Sequence, residues 1–305
     1  MDKEVGNGMI FFQVILPVLL IFLSGYILQR IYKLDLKPIS TLAIYVLSTA
    51  LVFRTFYKTP LDMQLFYIVV ISTLLTIGLI LITQITAKCF KYDKQQESAM
   101  MLSTAFMNSG NYGTPIILFA YGETGFHYAV QIMVFHAIIM GVFGVYFASR
   151  GKGGAKVAIK MVLKQPSNHA VVVAVLFQKL QISIPETYYQ AIDLVAQAAI
   201  PVVMLILGMQ LANVSAKGLE WKGISIASVI RLVASPVLAY LICLMFPIDP
   251  LLQKVLIVLA AMPSAATTAM YAIQFNARPQ FVSSSVLVTT VMSVGTLTFL
   301  LHFLQ

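Results

Sequence analysis

Charged residues are scarce in this sequence. Asp, Glu, Lys and Arg together make up 10 % of the 305 residues, whereas a soluble domain carries about 25 %. Hydrophobic residues make up 59 %, and the mean hydropathy is +0.89. This composition excludes an ordinary soluble protein and predicts a chain that crosses a membrane several times.

Cysteine and the common catalytic motifs are also lacking. Cys89 and Cys243 are the two cysteines, and neither belongs to a CxxC pair. No His, Cys or acidic residues stand at metal-ligand spacing, and there is no Walker motif, HExxH motif or recognisable catalytic triad. We therefore predict no metal, no cofactor and no enzymatic activity.

Ten hydrophobic segments are long enough to be considered as spans. The start, MDKEVGNGM, lacks the basic stretch of a cleavable signal peptide, so we expect the first segment to be retained. The predicted spans are Ile10–Ile31, Ile39–Tyr57, Leu65–Ala87, Ser98–Tyr121, His127–Phe147, Asn168–Ile184, Ala191–Ala212, Ile224–Phe246, Leu251–Phe275 and Phe281–Phe303.

The basic residues predict the orientation of these spans. Fourteen of the twenty Lys and Arg residues fall in one alternating set of loops, five fall on the opposite side, and Arg231 lies inside a span. Because cytoplasmic loops carry the excess of Lys and Arg, we expect the central loop to be cytoplasmic and both termini outside. The basic residues form no patch beside stacking aromatics, so we expect no nucleic-acid partner.

The central loop, Ser149–Gln165, contains the basic stretch RGKGGAKVAIKMVLK. One interpretation is an amphipathic helix that lies on anionic lipid. The other is a regulatory or partner-binding site.

The central loop divides the spans into two sets of five. An odd number of spans per half means that the second half is inverted relative to the first. Prolines recur at matching positions, with Pro17 and Pro166 at the start of each half and Pro115 and Pro263 in the fourth and ninth spans. Corresponding interruptions in two inverted halves indicate a transporter site.

The fourth span is interrupted by NSGNYGTP, from Asn108 to Pro115. Proline removes a backbone donor and glycine permits non-helical angles. Such backbone is tolerated at membrane depth only inside protein or beside a wet cavity. We expect a broken helix with Asn108 and Asn111 as hydrogen-bonding groups, and the alternative is a proline-kinked packing helix.

The ninth span has a second interruption, AMPSAATT, around Pro263. If the two breaks meet, two helix N-termini converge, and their free amide donors and dipoles favour an anionic group such as a carboxylate. We expect the donors to begin near Pro115 and Pro263. Thr267 and Thr268 can contribute, or they can simply bond to their own helix.

Three further polar residues lie within the predicted spans. Arg231 is either the counter-charge of the substrate or a group that holds free carbonyl ends at a break. Asp193 is either a proton or sodium site or an interfacial acid. His136 is either a packing histidine or a protonation switch.

Four motifs carry a family resemblance: NSGNYGTPIILFAYGETG, AIPVVMLILGMQLA, RLVASP and AAMPSAATTAMYAIQF. With them, the chain resembles the auxin efflux carrier family, as a compact bacterial-type member. The resemblance implies an all-α fold of ten transmembrane helices in two inverted five-helix repeats, with the broken helices 4 and 9 crossed. Asn108, Asn111, Pro115 and Pro263 match the motif positions.

The resemblance also implies how the protein is organised. Spans 1, 2, 6 and 7 form a scaffold, usually dimeric, and the others form a transport unit that moves like an elevator. We therefore divide the chain into residues 1–62 and 167–216 (scaffold), 63–148 and 217–305 (transport), and 149–166 (cytoplasmic basic loop). The predicted substrate-binding residues are Asn108, Gly110, Asn111, Pro115, Met262, Pro263, Ser264 and Thr267.

We predict a secondary active or facilitative carrier of small organic anions (carboxylates) in the cell membrane. It is surrounded by lipid and works by elevator-type alternating access. Proton or sodium coupling is left open. The alternatives are a sodium-coupled symporter of the bile-acid-carrier type and a transporter-like sensor that binds its ligand without moving it.

Overall fold

The computed structural model describes residues 7–59, 62–149, 159–160, 162–214 and 219–304. Every secondary-structure element in these residues is helical, and no strand occurs among them. The prediction of an all-α fold is therefore confirmed. The N-terminal residues and most of the predicted basic loop lie outside the described residues.

A short helical turn, Asn7–Ile10, precedes the main helices. These helices, in chain order, are α1 (Phe11–Tyr32), α2 (Leu36–Lys58), α3 (Met63–Cys89), α4 (Lys94–Thr104), α5 (Ser109–Ala148), α6 (Pro166–Lys179), α7 (Glu186–Ala212), α8 (Trp221–Cys243), α9 (Pro250–Ala260), α10 (Ala266–Phe275) and α11 (Pro279–Leu304).

Seven of the described helices are long and apolar enough to cross a membrane: α1, α2, α3, α5, α7, α8 and α11. The predicted sixth span is the 14-residue α6. The predicted fourth span comprises α4, a non-helical segment and the start of α5, and the predicted ninth comprises α9, a non-helical segment and α10. The count of ten spans therefore stays a prediction.

A glycine divides the long helix α5. Gly122 has φ +65° and ψ −164°, a region of backbone angles that is essentially restricted to glycine. A straight 40-residue helix would extend about 60 Å, about twice the hydrocarbon thickness. The break at Gly122 therefore separates the predicted fourth and fifth spans.

Aspartates at loop ends determine where several helices begin. The side chain of Asp62 accepts from the amides of Gln64 and Leu65 at the start of α3, at 3.0 and 3.2 Å. Asp249 does the same for Leu251 and Leu252 at the start of α9, at 2.8 and 3.1 Å. These N-caps satisfy backbone donors that the helix cannot pair itself.

Helices α1 and α7 pack at unusually short range. A Cβ atom on Gly25 would lie 2.1 Å from the carbonyl oxygen of Leu205, and one on Gly208 would lie 1.9 Å from that of Phe22. Only glycine allows this approach, as expected where small residues bring membrane helices together.

The two interrupted segments lie deepest in the protein. All residues from 98 to 109 and from 255 to 265 are buried. Non-helical backbone is therefore enclosed by protein, which is the condition under which a membrane protein can tolerate it.

Candidate functional site

The two interruptions pair directly with each other. The amide of Asn108 donates to the carbonyl oxygen of Pro263 at 2.8 Å, and the amide of Ala265 donates to that of Phe106 at 3.0 Å. Met107 and Ser264 thus face each other as a two-residue antiparallel bridge. The pairing satisfies backbone groups that left their helices and would be costly to bury alone.

Arg231 binds the carbonyl ends of both interrupted helices. Its Nη1 donates to the carbonyl oxygen of Thr104, the last residue of α4, at 2.8 Å. Its Nη2 donates to that of Ala260, the last residue of α9, at 2.5 Å, and also to Ser235 Oγ. These contacts favour the second interpretation of Arg231, which is to hold free carbonyl ends.

Arg231 reaches both ends from a π-helical turn, Ile230–Ala234, in the middle of α8. Its side chain is fully buried, and Ser235 Oγ adds a further hydrogen bond to the carbonyl oxygen of Ala260 at 2.7 Å. Two helix C-termini, each with partial negative charge, therefore surround the guanidinium.

Side chains also satisfy the extended residues. The amide of Met107 donates to His136 Nε2 at 3.1 Å, which requires Nε2 to be unprotonated. Ser264 Oγ donates to the carbonyl oxygen of Ser103 at 2.5 Å, and the Ser264 amide donates to Thr289 Oγ1 at 3.2 Å. Thr289 was not among the predicted residues, although the Ser- and Thr-rich sequence of α11 could have indicated it.

The helix starts lie at different residues from those predicted. The donors were expected near Pro115 and Pro263, but α5 begins at Ser109 with a π-helical turn and α10 begins at Ala266. Pro115 lies farther along, near the start of the regular α-helix, where its missing N–H costs little. Pro263 lies in the extended segment and supplies a carbonyl acceptor instead.

A cavity of about 260 Å³ lies beside the paired interruptions. Among the predicted site residues, those that line it are Asn108, Gly110, Asn111, Thr267 and His136. The facing wall comes from α2, α6 and α7 and contributes neutral polar side chains that the sequence did not single out: Ser40, Ser48, Ser167, Asn168 and Gln210.

Other predicted residues do not line this cavity. Four of them are buried around the paired interruptions instead: Pro115, Met262, Pro263 and Ser264. Thr268 is also buried, and its Oγ1 donates to the carbonyl oxygen of Ala265 at 2.7 Å. This contact favours the interpretation in which Thr268 bonds to its own helix.

Asp193 belongs to a separate cluster of charges. Its Oδ1 lies 3.1 Å from Arg54 Nε, and its Oδ2 accepts from Gln197 at 2.6 Å. Arg54 Nη2 also lies 3.5 Å from Glu123 Oε2, on the residue after the break in α5. These partly exposed pairs favour the interpretation of Asp193 as an interfacial acid.

The chain matches the family described as "membrane transport protein" over residues 10–301. It is 28 % identical to an uncharacterized transporter of Methanocaldococcus jannaschii, covering 94 % of this chain and 96 % of the relative. It is 26 % identical to an uncharacterized transporter of Methanothermobacter thermautotrophicus, covering 93 % and 95 %.

A third relative is a "putative malonate transporter" of Rhizobium meliloti, which is 26 % identical, covering 95 % of each chain. The family and these relatives are transporters and not enzymes. The chain therefore belongs to the membrane transport protein family, the auxin efflux carrier family that its sequence motifs indicate.

Proposed function

We propose that this protein is a secondary active or facilitative carrier of small organic anions, with carboxylates as the substrate class. The observation that carries the proposal is that the helix starts Ser109 and Ala266 follow two paired interruptions beside one polar cavity. Free amide donors and the helix dipole favour an anion at such a position. The relative described as a malonate transporter supports a carboxylate.

The packing of the helices supports an elevator-type movement. Helix α1 packs mainly on α7, and α2 packs on α6 and α7. The other helices pack mainly among themselves, with α3 on α4, α5 and α8, and α9 on α5 and α8. In the proposal, the first group is the scaffold, and the second group carries the substrate past it by alternating access.

The proposal keeps the predicted assembly. The chain forms ten spans in two inverted repeats, and the fourth and ninth spans cross at their interruptions. The scaffold forms a homodimer that is surrounded by lipid in the cell membrane. Both termini face outward. The matched interruptions, which meet at the Met107–Ser264 bridge, support this arrangement.

Transport by purified protein in liposomes tests the function. We expect protein-dependent uptake of radiolabelled malonate or another small carboxylate, with sodium and proton gradients varied separately. Asn111→Ala, in the cavity, should reduce uptake at least tenfold, whereas Gln190→Ala, on an exposed part of α7, should not. Absence of uptake for a panel of carboxylates would contradict the carrier function. Equal uptake by the two variants would contradict the assignment of the substrate to this cavity.

A further inference from the structure

The cavity lacks charged side chains in the part of its lining that the structure describes. Among the described residues, no Asp, Glu, Lys or Arg lines the cavity. His136 does, and its Nε2 accepts from the Met107 amide, so that nitrogen carries no proton. The rest of the lining is apolar or neutral polar. Transfer of an ion into such a site is costly unless other charges or hydrogen bonds compensate for it. The charge that the cavity accepts must therefore be matched by the backbone and by buried groups nearby.

The charge of Arg231, a buried cation at the ends of α4 and α9, is already balanced. Arg231 binds the last carbonyl groups of α4 and α9. Each helix C-terminus is equivalent to roughly half a negative charge, so the two ends together offset about one positive charge. Arg231 therefore contributes little net charge to the cavity.

The helix starts at the cavity are not balanced in this way. Helices α5 and α10 begin at Ser109 and Ala266, and Ser109, Asn111 and Thr267 line the cavity. Each N-terminus is equivalent to roughly half a positive charge. Together they match about one negative charge on a substrate, and a second negative charge would have no counterpart among the described residues.

Unpartnered amide atoms indicate an acceptor on the ligand near the helix starts and a donor near the facing wall. Asn108 is 4 % exposed, and its Nδ2 donor has no hydrogen-bond partner among the described residues. On the facing wall, Asn168 donates its Nδ2 to the carbonyl oxygen of Val162 at 2.8 Å, which leaves Oδ1 as an acceptor. That Oδ1 and Gln210 Oε1 also lack partners in the described part of the chain. An acceptor near Asn108 and a donor near Asn168 would satisfy these groups.

We infer that the cavity takes its substrate as a monoanion, either a monocarboxylate or a dicarboxylate with one carboxyl group still protonated. The carboxylate binds at the helix starts and Asn108. A hydroxyl or the protonated carboxyl group faces Asn168 and Gln210. This inference rests on the proposed function, since it concerns the substrate of the same site.

Three probes of similar size test the inference in liposomes that contain the purified protein. Malonate changes from a monoanion to a dianion with pH, its monomethyl ester remains a monoanion, and sulfoacetate remains a dianion at neutral pH. We expect uptake of malonate to fall about tenfold per pH unit above its second ionisation. Uptake of the ester should stay constant, and sulfoacetate should not enter. Protein-free liposomes measure leakage.

The results separate the two proposals. Uptake of sulfoacetate at the rate of the ester, or of malonate at a rate independent of pH, would overturn the monoanion inference while leaving the carrier function intact. Failure of every probe and of a wider carboxylate panel would overturn the carrier function, and the inference with it. A parallel pH dependence of the ester would assign the effect to the protein and not to the charge of the substrate, and would also overturn the inference.

A substitution adds a gain-of-function test. Gln210→Lys introduces a positive charge on the wall that faces Asn108, and we expect it to allow uptake of sulfoacetate at least tenfold above wild type. Gln210→Met, which has similar length and no charge, should not. Uptake of sulfoacetate by Gln210→Met equal to that by Gln210→Lys would contradict the inference, and the wild-type comparison remains decisive if Gln210→Lys does not fold.

Discussion

The amide of Asn108 donates a 2.8 Å hydrogen bond to the carbonyl oxygen of Pro263, a residue in the opposite half of the chain. This bond joins two interrupted helices at the point where each would otherwise bury unpaired backbone groups. The same junction places the starts of α5 and α10 beside one cavity. The polar groups that stabilise the fold and those that are proposed to bind substrate are therefore neighbours.

The first prediction concerns Arg231. Arg231→Met removes the donor to the carbonyl group of Thr104 and one of the two donors to that of Ala260, which keeps Ser235 Oγ. Because an unpaired buried acceptor costs about 1–3 kcal/mol, we expect the free energy of unfolding to fall by at least that amount. Arg231→Lys should recover only part of this loss, because an ammonium lacks the planar fork of a guanidinium. Thermal unfolding in detergent measures both.

Arg30→Met, on an exposed position of α1, is the control for this pair and should unfold like wild type. If Arg231→Met unfolds like wild type but loses transport, Arg231 would instead act as the counter-charge of the substrate.

The second prediction concerns His136, which accepts from the Met107 amide. His136→Phe leaves that buried donor unpaired, so we expect a loss of about 1–3 kcal/mol in the free energy of unfolding. His136→Gln supplies an acceptor oxygen and should lose less. Thermal unfolding distinguishes them, with His302→Phe, at an exposed position, as the control. Equal stability of His136→Phe and His136→Gln would count against this structural role.

The third prediction concerns the contact between α1 and α7. Gly208→Ala would place a methyl group 1.9 Å from the carbonyl oxygen of Phe22, which the helices can relieve only by moving apart. We expect the free energy of unfolding to fall by about 1–3 kcal/mol. Gly295→Ala is the matched control, because its added Cβ would meet no atom within 4 Å, and it should be neutral or slightly stabilising. Two variants of equal stability would contradict the close packing.

The fourth prediction concerns Asp193. Because its carboxylate pairs with Arg54 and Gln197 away from the cavity, Asp193→Asn should leave the sodium and pH dependence of transport unchanged. The free energy of unfolding should fall by no more than about 1 kcal/mol, as for a partly exposed ion pair. Glu186→Gln, at an exposed position on the same helix, is the control. A changed ion dependence in Asp193→Asn alone would make Asp193 a coupling site.

The candidate site was only partly predictable from sequence. Of the residues predicted to bind substrate, Asn108, Asn111 and Thr267 line the cavity, whereas Ser264 bonds to Ser103 and Thr289 within the junction. Asn168 on α6 and Gln210 on α7, which also line the cavity, were not predicted. The sequence around these two residues does not indicate a binding role, because an amide side chain in a membrane helix reveals neither its hydrogen-bond partner nor the cavity that it lines.

The sequence by itself determined the helical membrane class, the family and the two interruptions. Composition sets the class, and the breakers act locally, since a proline lacks an N–H and a glycine permits angles that other residues avoid. Only the tertiary structure decided that the interruptions bond to each other, that Arg231 serves both carbonyl ends, and which amides face the cavity. Those outcomes depend on contacts between residues far apart in the chain, and packing of the whole helix bundle determines them.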